Sequence, residues 1–310
     1  MTRIITVAGA QMASAEPYEG RGPIIARMLE MMREAKSRNC DLIVFPELAL
    51  TPFFVVHWLD NLDDANHYYE TEMPGPETAQ LFEEAANLGI GFYIGYAELS
   101  QANGESHRYN TSILVDKAGC IVGKYRKVHL PGHADHRPEL PYQGLEKLYF
   151  EVGDTGFKTW NAFGGVMGMC ICNDRRWPET FRVMGLQGVE MVLMGYNTPT
   201  SIPWDRTFDH LTDFHNHLVV QAGAYQNSTW VVSVAKAGRE GPLELIGGSC
   251  IVSPSGEIVA SASTNGDELI TADCDLDLTQ KYKKSVFDFS QHRRTEHYRL
   301  ICDQTGTKVP

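Results

Sequence analysis

Val166-Met167-Gly168-Met169-Cys170-Ile171-Cys172-Asn173-Asp174-Arg175-Arg176-Trp177-Pro178-Glu179 decides the fold of this 310-residue chain. The run up to Ile171 is apolar and glycine-spaced, as expected of a strand covered on both faces, and beyond Cys172 it gives way to four polar residues. Pro178 then opens a segment of helical period that reaches Leu186. A buried strand that turns into a helix is the repeating unit of an α/β fold, and it places Cys172 on the turn.

The same alternation continues in both directions. Short runs rich in β-forming residues recur at 5–12, 41–45, 91–98, 111–115, 166–172, 191–194, 230–235 and 248–252. Helical periodicity marks 24–37, 77–88, 178–186, 210–226 and 278–284. Asp116-Lys117-Ala118-Gly119 separates two extended runs, 111–115 and 120–125, and reads as a hairpin, so the sheets are expected to be mixed. With no Pro/Gly/Ser-rich linker, composition shift or repeat, residues 1–310 read as a single domain. In such folds ligand sites gather at the carboxyl ends of strands, which is where reactive side chains should be sought.

Composition excludes several classes of function. The formal charge of −12 and the lack of a Lys/Arg cluster argue against a nucleic-acid partner; Arg293 and Arg294 are too few. No apolar stretch approaches the roughly 18 residues a membrane span needs. Met1-Thr2-Arg3-Ile4 lacks the plan of a signal peptide, so a cytoplasmic location is expected. Seven scattered cysteines suit reduced thiols better than a disulfide framework, most of them small buried side chains and one of them reactive.

Three segments carry candidate chemistry. Residues 41–45 stop at Pro46, which cannot extend a ladder, and Glu47 follows at the strand end. Taken alone, such a Glu is more often a salt-bridged or surface residue. Lys127 lies in Lys124-Tyr125-Arg126-Lys127-Val128-His129, where three cations within four residues usually mark a solvated edge. Cys172 is different: a strand-to-helix turn offers free N–H groups and partial positive charge, which favour thiolate over thiol and can hold an oxyanion. Cys170, inside the apolar run, fits a structural role better.

Together the segments resemble the nitrilase superfamily. Phe45-Pro46-Glu47-Leu48, Tyr125-Arg126-Lys127-Val128-His129-Leu130 and Cys172-Asn173-Asp174-Arg175-Arg176-Trp177-Pro178-Glu179 match its three motifs in order. The resemblance implies an α/β four-layer α-β-β-α sandwich that associates into homodimers or homotetramers. It also implies a Glu47, Lys127 and Cys172 catalytic set, no cofactor and no metal. Glu146 stands near the position of a second superfamily Glu that would orient or neutralise Lys127; the alternative is a solvent salt bridge to Lys147. The paired Arg175 and Arg176, with Glu70-Thr71-Glu72-Met73-Pro74-Gly75-Pro76 and Gly195-Tyr196-Asn197-Thr198-Pro199-Thr200, look like the N-carbamoyl-D-amino acid amidohydrolases.

That resemblance implies hydrolysis of an N-carbamoyl-D-amino acid to the D-amino acid, carbon dioxide and ammonia through a covalent cysteine intermediate. Arg175 and Arg176 are the candidates to hold the carboxylate of such a small molecule, because a guanidinium binds it with two parallel hydrogen bonds. Asn173, His129, Asn197 and Thr198 are further candidate substrate contacts, although turn formation explains Asn197-Thr198-Pro199 equally well. The chain departs from the carbamoylase pattern across 133–144, where Gly144 takes a position often held by His.

Two other readings stay in view. A nitrilase-superfamily amidase acting on another carbamoylated amine, an amide or a nitrile needs the same nucleophile but not the arginines. A metal hydrolase using His129, His133, His136, His210, His215 and His217 is disfavoured, because Pro131 and Gly132 break any helix between His129 and His133. Phe53, Phe54, Trp58, Tyr68 and Tyr69 follow the Glu47 segment, where core packing is the commoner explanation for such a cluster.

Overall fold

The computed structural model describes residues 2–15 and 20–309; Met1, part of the amino-terminal stretch considered above, lies outside them. The strands form two sheets. The first runs Ile121–Arg126, Glu105–Val115, Gly91–Ala102, Leu42–Val44, Ile4–Ala13, with Glu268–Asp275 antiparallel to the last. The second runs Thr159–Ala162, Gly165–Ile171, Met191–Tyr196, Trp230–Glu240, then Cys250–Val252 and Ile258–Ser261. The two join at a corner, where Met12 and Ala13 pair in parallel with Lys236 and Ala237.

Period-two patterning sorts the side chains between layers. In the first sheet Ala8, Ala10, Ile43, Phe92, Ile94 and Ile113 pack beneath the helices Arg21–Ser37 and Ala79–Leu88, which bury Ile24, Met28, Leu81 and Ala85. The alternate residues Val7, Val44, Tyr93 and Leu114 meet Met169 and Leu193 of the second sheet. The helices Pro178–Leu186 and Thr212–Asn227 cover that sheet with Phe181, Met184, Val220 and Ala224. The outcome is the four-layer α-β-β-α sandwich.

The Tyr93 side chain ties the two sheets together near the site. The Tyr93 hydroxyl donates to the Cys170 carbonyl at 3.1 Å and accepts from Gly195 N at 3.1 Å. Beside it the Pro46-Glu47 backbone passes between two glycines, one from each sheet. A Cβ on Gly95 would lie 2.8 Å from Glu47 Cα, and a Cβ on Gly195 would collide with the Glu47 nitrogen. The sheets approach so closely here that only glycine leaves room for the chain.

Helix Pro178–Leu186 occupies the expected residues. The strand expected at 166–172 ends at Ile171, and a tight 3-10 turn, Cys172–Arg176, separates it from the helix. The strands Thr159–Ala162, Leu243–Ile246 and Ile258–Ser261 carried no signal in the sequence reading, and two features of the first sheet also depart from it. The strand beginning at Gly91 runs on to Ala102 and turns back at Asn103-Gly104, both with positive φ, a tight hairpin that extends the next strand to Glu105. Glu268–Asp275, whose polar residues hide its alternation, pairs with eight residues of Ile4–Ala13.

Replacing Gly195 with Ala should therefore lower stability by about 1–3 kcal/mol through overpacking and displace Glu47. Chemical denaturation and turnover should both register the loss. Native stability with native turnover would mean that the glycine clamp is not needed.

Candidate active site

Glu47 leaves its strand after Pro46 with its carboxylate fully buried, and each oxygen is committed. Oε1 accepts from Lys127 Nζ at 2.7 Å and from Asn110 Nδ2 at 2.8 Å; Oε2 accepts from Asn197 N at 3.0 Å. Asn197 Nδ2 also donates to the Glu47 carbonyl at 2.8 Å. The Lys127 ammonium, itself fully buried, donates a second time to Glu146 Oε2 at 2.6 Å. The run that reads as a solvated cationic edge thus alternates faces: Lys124 and Arg126 pair with Glu98, while Lys127, just past the strand, turns inward.

Cys172 sits at φ +48°, a conformation L residues avoid unless their surroundings impose it. Asp174 supplies that imposition: its carboxylate accepts from Ile171 N at 3.0 Å, Tyr125 Oη at 2.7 Å and His129 N at 2.9 Å. The thiol is buried and directed toward the Asn197 carbonyl at 3.6 Å. Its sulfur and the nearest oxygens of Glu47 and Glu146 lie within 4.8 Å of one another. That donor set resembles a metal site, but the Lys127 ammonium lies among the carboxylates and supplies the cationic charge a metal would bring.

A cavity of about 450 Å³ opens above Cys172. Cys172, Glu146, Asn197 and Thr198 line it together with the apolar side chains of Phe53, Val55, Val56, Trp204 and Phe208. Arg176, Asp205 and Asp209 also line it. Of the aromatic cluster after Glu47 only Phe53 reaches the cavity; Phe54 stacks on Tyr68 at 4.4 Å and packs with Tyr69 and Tyr149 in a satellite core.

Several expected substrate contacts are engaged elsewhere. Arg175, only 2% exposed, donates to the Cys172 carbonyl at 2.7 Å, to Thr198 Oγ1 at 2.9 Å and to Asn216 Oδ1 at 3.0 Å, with its plane 4.2 Å from the Tyr196 ring. It braces the cysteine turn from below and leaves Arg176 as the cavity's guanidinium. Arg176 donates to Asn173 Oδ1 at 3.1 Å, and Asn173 Nδ2 donates to the His129 carbonyl at 3.1 Å. The His129 ring stacks on Trp177 at 5.0 Å and pairs through Nδ1 with Asp174 at 2.8 Å, away from the cavity lining.

Three contributors were missed from sequence. Asn110, on the strand Glu105–Val115, had no motif to mark it. Lys236, buried with Glu240, donates to the Thr51 carbonyl, while Glu240 accepts from Phe53 N, so a buried ion pair fixes the wall that carries Phe53. Trp204 lies in a polar loop whose sequence gave no periodic signal.

The electrostatics revise the expectation for the thiol. Burial, and then the Glu47 charge, push Cys172 above its ordinary value, against the pull of Lys127 and Arg175. The α-helix begins six residues later at Pro178, too far for its dipole to act strongly on the sulfur. A buried thiol in this state needs a neighbouring base, and Glu47 is adjacent. Burial also opposes the Lys127 charge, but Cys172, Glu146 and Glu47 outweigh it and hold the ammonium above the usual lysine range.

Glu146 is pushed up to about 7 by burial, with Lys127 pulling down and Glu47 pushing further up, because two carboxylates share one ammonium. Its charged form is present above that value and is lost as pH falls through it. kcat/KM should therefore decline as pH drops below about 7. Glu146→Gln should flatten this limb and lower kcat by roughly tenfold or more. An unchanged acid limb in that variant would assign the titration to another group.

Among the described residues no helix is long and apolar enough to cross a membrane. The sequence is 28% identical to N-carbamoylputrescine amidase of Arabidopsis thaliana over 98% of this chain and 97% of that protein. It is 32% identical to citrullinase of Francisella tularensis over 61% of this chain and 64% of that protein. Among solved structures, a carbon-nitrogen hydrolase from Helicobacter pylori G27 superposes with a TM-score of 0.83 at 22% identity, covering 98% of this chain and 99% of its own. An amidase from Nesterenkonia, in a form showing Michael addition of acrylamide at its active-site cysteine, gives 0.71 at 19% identity over 96% of this chain and 99% of its own. These two likenesses establish the fold. The carbon-nitrogen hydrolase family profile matches residues 6–284, and the chain belongs to that family.

Proposed function

We propose that this enzyme hydrolyses the terminal carbamoyl group of a small N-carbamoyl compound, with Cys172 as nucleophile. The observation that carries the proposal is the buried Glu47–Lys127–Glu146 cluster set against the Cys172 thiol in the lining of a single cavity. Glu47 takes the thiol proton as sulfur bonds to the carbonyl carbon, and the electron pair moves to oxygen. Lys127 and the Asn173 N–H hold that oxyanion.

Collapse of the adduct expels ammonia with the proton from Glu47, leaving an S-carbonyl intermediate. Glu47 next takes a proton from water, the resulting hydroxide attacks the S-carbonyl carbon and expels the sulfur, to which Glu47 returns the proton, and the released carbamate breaks down to amine and carbon dioxide. Asn110 and the Asn197 N–H keep Glu47 aimed through both halves of the cycle.

The narrower reading is an N-carbamoyl-D-amino acid as substrate. Arg176 in the cavity wall, able to meet a carboxylate, supports it, as does the Arg175-Arg176 pair in the third motif. Asp205 and Asp209, which line the same cavity, favour a second reading, a carbamoylated amine whose far end is cationic, in keeping with the relative named for N-carbamoylputrescine. The apolar residues exposed on the covering helices, Val183, Leu186, Phe214 and Leu218, support a homodimer or homotetramer.

Ammonia release from N-carbamoyl-D-phenylglycine, its L enantiomer and N-carbamoylputrescine separates the readings. Selective turnover of the D compound, with KM raised roughly 10- to 100-fold by Arg176→Ala, is expected from loss of a charge-assisted hydrogen-bond pair. Preference for the cationic amine, with KM unmoved by Arg176→Ala, would replace the D-amino acid by the second class.

A further inference from the structure

Gly144 and Trp204 both line the cavity and touch there. A Cβ on Gly144 would lie 2.6 Å from Trp204 Cη2, 3.4 Å from Cζ2 and 3.5 Å from Cζ3, so the ring rests on bare backbone. The backbone cannot withdraw. His133 N donates to the Gly144 carbonyl at 2.8 Å, Gln143 N to Val56 O at 3.2 Å and Leu145 N to Val55 O at 2.9 Å. Gly132, at φ +76°, lies so close that a Cβ there would collide with the Gly144 carbonyl.

The segment bearing Trp204 is held as firmly. Thr200 N donates to Glu244 O at 2.8 Å, Asp205 N to Ile202 O at 3.0 Å, and Ile202 N to Asp209 Oδ1 at 3.0 Å. Tyr142 Oη, two residues before Gly144, donates to the Ser201 carbonyl. The His133 ring meets the indole edge-on at 5.6 Å. Trp204 is nevertheless 41% exposed, and it lines the cavity with Phe53, Val56, Ile202, Phe208 and Cys172. A large ring packed at its edge that also lines a cavity offers apolar area that a ligand can cover.

We infer that Gly144 and Trp204 form one specificity-determining element: the missing side chain at 144 seats the indole as an apolar wall, which selects reactants carrying an apolar group next to the carbonyl that Cys172 attacks. This rests on the functional reading only in taking the cavity above Cys172 as the substrate site. Any side chain at 144 would push the ring aside, so the two positions are coupled and not merely adjacent.

The test compares alkylation of Cys172 by chloroacetamide and by N-benzylchloroacetamide, in which sulfur displaces chloride. Labelling is followed on the Cys172 peptide, because Cys120 and Cys302 are exposed. The native protein should favour the benzyl reagent. Trp204→Ala should cut the ratio of the benzyl rate to the chloroacetamide rate by about tenfold, the scale on which apolar pocket contacts discriminate; Trp204→Leu should fall between.

Gly144→Ala should also reduce the preference, and the double variant should be no worse than Trp204→Ala alone. A benzyl preference untouched by Trp204→Ala, or effects of the two substitutions that simply multiply, would overturn the inference. If the labelling pattern holds but no carbamoyl compound is turned over, the functional reading falls and this one stands.

Discussion

The ammonium of Lys127 is shared between two carboxylates, Glu47 at 2.7 Å and Glu146 at 2.6 Å, with all three side chains withdrawn from water. Removing one member of such a buried pair costs about 3–5 kcal/mol, because the charge left behind has no solvent to turn to. The cluster therefore dictates its surroundings. Asn110 and the Asn197 N–H each take a further Glu47 lone pair and leave one on Oε2 for the proton it must accept, and the glycines at 95 and 195 admit the Glu47 backbone where the two sheets come closest.

The cluster also governs the state of the sulfur. Burial, and then the Glu47 charge, favour thiol over thiolate at Cys172 despite the opposing pull of Lys127 and Arg175. Reactivity then depends on geometry more than on a standing thiolate: a base within reach, a cation for the oxyanion, and a cysteine held at positive φ by the Asp174 network. Arg175 belongs to that support, since it holds the Cys172 carbonyl, Thr198 and Asn216 in one arrangement.

Much of this was legible from the chain itself. Apolar runs ending at Glu47 and Cys172 mark strand ends, whereas the cationic stretch around Lys127 reads alone as a solvated edge; the three motifs in order are what point to one place for these residues, Glu146 included. Arg175 and Arg176 could not be told apart, because adjacent residues on a tight turn point in opposite directions and sequence does not say which faces the cavity. His129 and Asn173 are polar and next to the motifs, and His129 Nδ1 and the Asn173 amide are engaged within the turn. Asn110, Lys236 and Trp204 act through partners distant in sequence: Glu47, Glu240 with Thr51, and Gly144. Such pairings emerge only when the sheets are assembled.

Turnover by this mechanism passes through a covalent bond to Cys172. Acid quenching during steady-state turnover of a carbamoyl substrate, followed by peptide mass analysis, tests it directly. The expected result is a Cys172 peptide carrying the substrate less ammonia, with the adduct lost when the sample is allowed to complete hydrolysis. An unmodified Cys172 peptide throughout turnover, with activity kept in Cys172→Ala, would contradict the mechanism.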